Sequence, residues 1–522
     1  MTTAAKPRSP VVRAALIGIP ALAAALAAGH FTAAFVAPGA SPYLAVANSV
    51  IDLSPAWLVE FAKNTFWTAD KVVLFAGIAL VLIGLAVFAG WLARNRLGPG
   101  QMVIGVLGVV GLAAALSRPD VGPLAVLPPV VSVLVGGIVF AWLHSRAAAA
   151  QAAQPPREEA QEEPAELEPA PESGVGRRSL LVGSAGALVG AGLTGAAGQW
   201  LAGPDAEASR RAVAMFTGVK RAPKPPSGAD FADWGTPTII TPNKDFYTIH
   251  TAFVPPRLRA EDWQLRIHGM VDRPLTLTYD QLRKRPLVER TMTMACVSNP
   301  VGGDLISTAN FIGVDLAELL AEVGIHQGAE QLFSTSHDGF TAGTPIEVVQ
   351  EPERAMLAIG MNGEPLPIEH GFPVRMVVAG LYGFVSATKW LVDLEVTTWQ
   401  ARTPYWVPRG WSRKGPVKTH SRVDNVTVDG SKARVAGTAW APYTGIDKVE
   451  VQIDDGPWQQ AELAAEVNKN TWRMWRLETK VGPGRHKVRC RATDRSGYTQ
   501  TSEVAPVAPD GATGWHEVEF SV

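Results

Sequence analysis

The chain has 522 residues, a formal net charge of −1 and a hydrophobic fraction of 47%, with a mean hydropathy of +0.10. That length holds several domains, and that apolar content is high for a wholly soluble protein, so part of the chain is expected in a bilayer. Without a concentrated basic face nothing supports nucleic-acid binding, and two cysteines far apart in sequence, Cys296 and Cys490, cannot make a disulfide framework.

Five nearly charge-free segments are long enough to cross about 30 Å of hydrocarbon as helices. Four lie within residues 1–150, at 14–36, 72–93, 101–117 and 121–143, and the fifth, 179–202, within residues 177–203. Cationic residues flank alternate ends: Lys6, Arg8 and Arg13, then Arg94 and Arg96, then Arg146, then Arg177 and Arg178. The positive-inside rule turns these into one topology, with the N-terminus cytoplasmic, everything after the fifth helix extracytoplasmic and the protein multi-pass in the cell membrane. Residues 41–71 suggest an interfacial helix with Trp57 and Trp67 at the headgroup level. His30 is the only histidine inside a predicted span and His144 sits at a helix end, so paired axial ligands for a haem are not expected.

Residues 151–176 form an acidic linker; its 151–175 stretch holds seven Glu and five Pro, a composition too charged to bury itself. Next comes "GVGRRSLLVGSAGALVG", two arginines ahead of a Gly/Ala-rich span. The pattern reads either as an internally placed twin-arginine export signal or as an ordinary membrane helix with cationic flanks.

Beyond Arg210 short strands, turns and small helices take over. In "DWQLRIHGMVDRPLTLTYDQL" alternation runs through Trp263, Leu265 and Ile267, turns at Asp272 to Pro274 and resumes at Leu275 and Leu277. "LVERTMTMACVSN" alternates up to Cys296. Leu316, Leu319, Leu320 and Val323 share helical spacing, and "FPVRMVVAGLYG" is a strand running into glycines. Strands and helices interspersed without βαβ rhythm predict an α+β domain over residues 230–400. Residues 416–522 are nearly all strand, with turns at Asp429-Gly430, Asp455-Gly456 and Ser496-Gly497, which predicts an immunoglobulin-like β-sandwich. In "HKVRCRAT" Cys490 alternates with charged residues and reads as core filler.

Cys296 has four chemical readings: filler, nucleophile, redox sensor or metal ligand. Neighbouring residues supply no histidine for a nucleophile, and ligation needs only a rigidly held thiolate with other donors from a cofactor. Residue chemistry leaves the four open.

Residues 243–396 resemble the molybdenum-binding domain of the sulfite oxidase family, and residues from 419 onward resemble that family's dimerisation domain. The matching stretches are "TMTMACVSN", "MNGEPLPIEHGFPVRMVVAGLYG", "TKWL", and "GTAWAPYTGIDKVEVQIDDGPWQQAEL" with "TWRMWRLE". The resemblance implies a molybdopterin-dependent oxidoreductase in which Cys296 is the protein thiolate on molybdenum, beside one pyranopterin. It implies cofactor contacts from Arg375, Lys389 and His370, from Asn243, Tyr247, Thr248 and His250 in "NKDFYTIHT", and from Asp338, Ser386 and Thr388. Tyr405 falls where sulfite oxidases carry a tyrosine next to the metal. For Arg375 the competing role is a structural ion pair, and for Tyr405 it is packing. Cofactor loading in the cytoplasm demands export of a folded domain, which favours the twin-arginine reading of Arg177-Arg178.

The family's substrate arginines, one in the first cofactor loop and one shortly after the cysteine, are altered here to "FYTIHT" and "CVSNPVGGD". Sulfite is therefore demoted below an S- or N-oxide, although Arg409 and Arg413 offer charge from another direction. Sulfite oxidation is the alternative, as is a metal-free binding protein that retains the fold. With no haem or iron-sulfur motif in the chain, a separate electron-transfer partner is expected, either a cytochrome or a quinone-linked membrane protein. A homodimer through the C-terminal domain is a further expectation, as is contact with membrane lipid.

Overall fold

The computed structural model describes residues 10–55, 58, 61–62, 65–66, 69–118, 121–152, 175–201, 204–252 and 254–522. They fall into two compact units, Met1–Pro204 with Ala252–Val254, and Asp205–Thr251 with Pro255–Val522.

The first unit is helical: α1 (Pro10–Val36), α2 (Pro42–Leu53), α3 (Asp70–Leu92), α4 (Leu97–Leu116), α5 (Leu127–Ala152) and α6 (Val175–Leu201). Five of its helices are long and apolar enough to cross a membrane. Glycine sets how closely they pack. A Cβ on Gly18 of α1 would stand 2.0 Å from the Ala86 carbonyl oxygen, and one on Gly90 of α3 would stand 2.4 Å from that of Ala14. Backbones approach this closely only where no side chain intervenes. The fourth apolar span runs over Pro123–Ala149, and its α-helical part begins at Leu127, after a short 3-10 turn at Pro123–Val126. Its Pro128-Pro129 pair falls in the first helical turn, where the missing N–H donors have no intrahelical acceptor to lose. Within the stretch expected as an interfacial helix the described residues include α2, while Trp57, Trp67 and most of the acidic linker lie outside the described residues.

The second unit opens its sheets with β1 (Gln264–Gly269), β2 (Leu275–Thr278), β3 (Val288–Ala295), β4 (Ile306–Asp315), β5 (Gln331–Ser336), β6 (Thr341–Pro345), β7 (Ala355–Met361), β8 (Glu364–Pro365), β9 (Arg375–Val378) and β10 (Leu391–Thr397). One sheet has the order β2-β1-β10-β5-β6, with β1 and β10 parallel; the other runs β3-β4-β7-β8, with β9 added on β7. A single core of Leu, Ile, Val, Met and Phe side chains joins them. The mixed α/β character expected for this region is present, with short helices α7 (Tyr279–Arg283), α8 (Leu316–Val323) and α9 (Gly383–Ser386) between strands.

Helix α8 illustrates how local sequence decides. Asp315 caps it, its carboxylate accepting from the backbone N–H of Ala317 at 2.8 Å, and the same carboxylate pairs with Arg290. Leu316, Leu319, Leu320 and Val323 face the core, each contributing roughly 1.5 to 3 kcal/mol by burial. Gly324, at φ +70°, ends the helix.

The C-terminal part holds β11 (His420–Asp429), β12 (Lys432–Trp440), β13 (Ile446–Ile453), β14 (Gln459–Gln460), β15 (Glu462–Leu463), β16 (Arg473–Lys480), β17 (Arg485–Asp494) and β18 (His516–Ser521). They make two antiparallel four-stranded sheets, β11-β12-β16-β15 and β14-β13-β17-β18, which share one core. Cys490, opposite Val451, is fully buried in it, and burial pushes its thiol up to about 12. Iodoacetamide at pH 8 is expected to leave Cys490 unmodified in the native protein and to alkylate it only after denaturation, as read by peptide mass spectrometry.

Candidate active site

Strand β3 is buried from Thr291 to Ala295 and delivers Cys296, partly exposed, at its end. The loop that follows is tied at three points. The Cys296 N–H donates to the Leu305 carbonyl at 2.9 Å, the Asn299 N–H donates to the Cys296 carbonyl at 3.1 Å, and Asn299 Oδ1 accepts the Leu305 N–H at 2.9 Å. The C-terminal sheets brace the same strand, with the Trp472 N–H on Thr293 Oγ1 at 2.7 Å and the Thr293 N–H on the Asn470 carbonyl at 2.9 Å. A cysteine side chain on a loop with this little freedom is placed once and stays there.

The structure gathers four of the residues singled out in the sequence, Tyr247, His370, Arg375 and Lys389, into one cluster. The Tyr247 phenol is raised well above its usual range, first by burial and then by the electrostatic effect of Cys296, with Arg375 acting in the opposite sense. It is thus neutral and protonated in a setting where both groups are felt. Phe246, stacked on Tyr247 at 5.4 Å between centroids, meets the His370 ring edge-on at 5.4 Å. His370 Nε2 donates to the Asn243 carbonyl at 3.0 Å, and its own carbonyl accepts from Arg375 Nη1 at 3.2 Å. Lys389 Nζ donates to the Glu369 carbonyl at 2.8 Å. The turn at Ile368–His370 that carries these bonds ends at Gly371, φ +106°, where a Cβ would stand 2.9 Å from that of Lys389. Only glycine permits both the conformation and the approach.

Two features of this cluster call for a ligand. Arg375 is 3% exposed and forms no ion pair among the described residues, and burial brings its guanidinium down to about 10, still charged at neutral pH. Arg375 Nε and His370 Nδ1 are buried atoms with no hydrogen-bond partner among the described residues. Buried polar atoms and buried charges are ordinarily paired, so Arg375 Nε fits an anionic acceptor, while His370 Nδ1, the acceptor nitrogen of a neutral ring whose Nε2 donates, fits a donor on the same group. A structural ion pair, the competing role for Arg375, is absent among the described residues. Those residues contain no cluster of three or more His, Cys, Asp or Glu able to hold a metal, so a metal at Cys296 would take its remaining ligands from a cofactor.

The other expected contacts are engaged within the protein. Asn243 Nδ2 donates to Glu364 Oε1 at 2.5 Å, and its Oδ1 accepts from Asn362 at 2.8 Å. Ser386 Oγ donates to the Tyr382 carbonyl at 2.9 Å, Thr388 Oγ1 pairs with Ser334 Oγ at 2.7 Å, and Asp338 Oδ1 accepts the Phe340 N–H at 3.1 Å in a tight turn. Thr248 is exposed. His250 meets Trp390, the chain neighbour of Lys389, edge-on at 5.7 Å. Tyr405 sits in an aromatic group with Phe340 and Trp406, its ring under the Arg409 guanidinium at 3.7 Å. Sequence reasoning missed the tie made by Asn299 and the brace supplied by Trp472; "CVSN" marked the first, and no local signal marked the second.

His370 gives a pH signature. Burial, then Lys389 and Arg375, push its pKa down to about 3 from 6.5. The unfolded chain therefore binds the extra proton between those values, and stability falls as pH falls through that window. We expect the cofactor-free protein to lose about 2 kcal/mol from this group between pH 7 and pH 5. Denaturant titrations of wild type and His370→Gln check it, the variant lacking that part of the slope.

A cysteine held on a tied loop, and a buried cation without an ion pair among the described residues, are the donor and the charge that a metal-carrying anionic cofactor requires. Residues 251–406 match the family model described as oxidoreductase molybdopterin binding domain. Rat mitochondrial sulfite oxidase is 29% identical over 345 residues, covering 55% of this chain and 62% of that protein, so the chain spans less than two thirds of that relative. The uncharacterised oxidoreductase YuiH of Bacillus subtilis is 29% identical over 180 residues, 34% of this chain and 87% of the relative. Among solved structures, the sulfane dehydrogenase SoxCD of Paracoccus pantotrophus is 24% identical with a TM-score of 0.46, covering 53% of this chain and 79% of that one. The chain carries a molybdopterin-binding oxidoreductase domain at residues 251–406 and is similar to the sulfite oxidases.

Proposed function

We propose that this is a membrane-anchored, extracytoplasmic molybdenum oxidoreductase acting at a Cys296-ligated Mo-molybdopterin, on an S- or N-oxide in preference to sulfite. The observation that carries the reading is the conjunction of Cys296, on its thrice-tied loop, with the buried and unpaired Arg375 beside His370. When bound, the cofactor supplies oxygen-atom transfer and a two-electron redox change. In the reductive direction a sulfoxide, two electrons and two protons give the corresponding thioether and water, the sulfur–oxygen bond breaking and the electrons coming from a cytochrome or a quinone-linked membrane protein.

The chain's own residues do the rest. Arg375 and Lys389 neutralise the cofactor's anionic charge, while neutral His370 fixes the turn that presents them. Tyr247, protonated at neutral pH, holds a proton at Oη near Cys296. The first loop offers Tyr247 and Thr248, neutral donors that suit a neutral oxide better than a dianion. Arg177-Arg178 act as a twin-arginine signal, the four cationic clusters keep the N-terminus cytoplasmic, and the paired C-terminal sheets form an immunoglobulin-like domain available for dimerisation.

Purified full-length protein in lipid is expected to hold about one molybdenum per chain. In dye-coupled assays it should reduce S- or N-oxides with higher kcat/KM than it oxidises sulfite. Metal-free wild-type protein isolated from molybdenum-replete cells overturns the reading, as does sulfite as the better substrate.

A further inference from the structure

Next to the Cys296 loop lies a cavity of about 470 Å³ whose lining includes Tyr247, Thr248, Leu305, Ile306, Arg422 and Trp472. It is joined to the thiolate by structure on two sides. The carbonyl of Leu305, a lining residue, accepts the Cys296 N–H, and Ile306, another, pairs in register with Ala295, the residue before the cysteine.

Arg422 comes from β11, in the C-terminal sheets, and crosses to the post-cysteine loop. Its Nη1 donates to the Gly303 carbonyl at 2.6 Å and its Nε to Asp424 Oδ1 at 2.5 Å. The side chain is 11% exposed in this pair, and no acceptor among the described residues takes Nη2. The cavity lining thus holds one guanidinium with a free N–H edge, already balanced by Asp424. It also holds the carboxylates of Asp245 and Asp304. A dianion entering here meets two negative groups for one neutralised cation, whereas a neutral molecule with a single strong acceptor meets no such penalty. Leu305, Ile306 and the Trp472 ring offer apolar wall to its substituents.

We propose that this cavity is the substrate pocket and that Arg422 is its specificity-determining residue, binding the oxide oxygen of a neutral organic sulfoxide or N-oxide through Nη2. The inference rests on the reading of Cys296 as the metal-bound thiolate. It explains how a chain lacking the family's two substrate arginines still orients an oxygen toward the thiolate: the donor arrives from the other half of the unit.

The test uses the full-length, molybdenum-loaded protein with methionine sulfoxide, trimethylamine N-oxide and sulfite as probes. Arg422→Gln is expected to raise the KM for methionine sulfoxide at least about 10-fold while kcat moves by less than about 3-fold, the loss of one charge-assisted hydrogen bond. Arg422→Lys recovers part of that loss. Because removing Arg422 leaves Asp424 unpaired, Thr238→Trp provides a second arm. Thr238 is an exposed residue on the cavity lining, and an indole there should raise the same KM without altering molybdenum content or melting temperature. An unchanged KM in Thr238→Trp, or in a folded, loaded Arg422→Gln, overturns the pocket assignment while oxide reduction by wild type leaves the parent reading standing. Wild type that oxidises sulfite and reduces neither oxide overturns both.

Discussion

Cys296→Ser is expected to reduce turnover by at least about 10³-fold, roughly 4 kcal/mol of transition-state stabilisation, with little change in stability. A hydroxyl is a poor substitute for a soft thiolate on a metal that cycles between oxidation states. The fold does not depend on the sulfur. Cys296 is only partly buried, and its place is held by the backbone bonds to Leu305 and Asn299, which serine keeps. The melting temperature should therefore shift by no more than about 1 kcal/mol implies. Dye-coupled activity, metal analysis and thermal unfolding on the same preparation decide it. A variant with wild-type turnover removes the metal ligand from the account, and a variant that unfolds assigns Cys296 to packing.

Arg375→Met separates two roles by the sign of its effect. If the guanidinium anchors the cofactor, the variant loses a charge-assisted bond of roughly 1.5 to 3 kcal/mol, about a 10- to 150-fold drop in cofactor retention. At the same time the cofactor-free form becomes no less stable, because a buried cation with no carboxylate partner among the described residues, held by one bond to the His370 carbonyl, has been replaced by an apolar side chain of similar length. If the guanidinium were structural, the cofactor-free form would lose stability instead. The absence of an ion pair at Arg375 among the described residues and its unpartnered Nε favour the first outcome. Pterin content after gel filtration, set against denaturant midpoints of the cofactor-free forms, reads both effects. A marked destabilisation of the cofactor-free variant with full pterin content refutes the anchoring role.

Periodicity made much of the architecture legible. The spacing of Leu316, Leu319, Leu320 and Val323 foretold α8, and alternation through Leu265 and Ile267 foretold β1, whose two residues are fully buried. Alternation in "HKVRCRAT" put Cys490 in the core, where it lies. These succeed because burial of one face is a local pattern that the chain repeats. The five long apolar helices were legible for the same reason, their length and composition being written in consecutive residues. The start of the fourth at Leu127 was less so, since a proline pair reads equally as a break or as a first turn.

By itself the sequence determined the order of the parts, the strand that ends at Cys296 and the identity of the cations that follow it. What it left open was partnership. Whether Arg375 meets a carboxylate, whether Tyr405 packs among aromatics, and whether Arg422 reaches the loop after the cysteine depend on which distant strands lie side by side. Periodicity carries no information about that; only the tertiary fold, by bringing β11 against the Gly303 carbonyl and leaving Arg375 Nε without an acceptor, decided it. The physical reason is that a buried charge is defined by what surrounds it, and those surroundings are assembled from segments far apart in the chain.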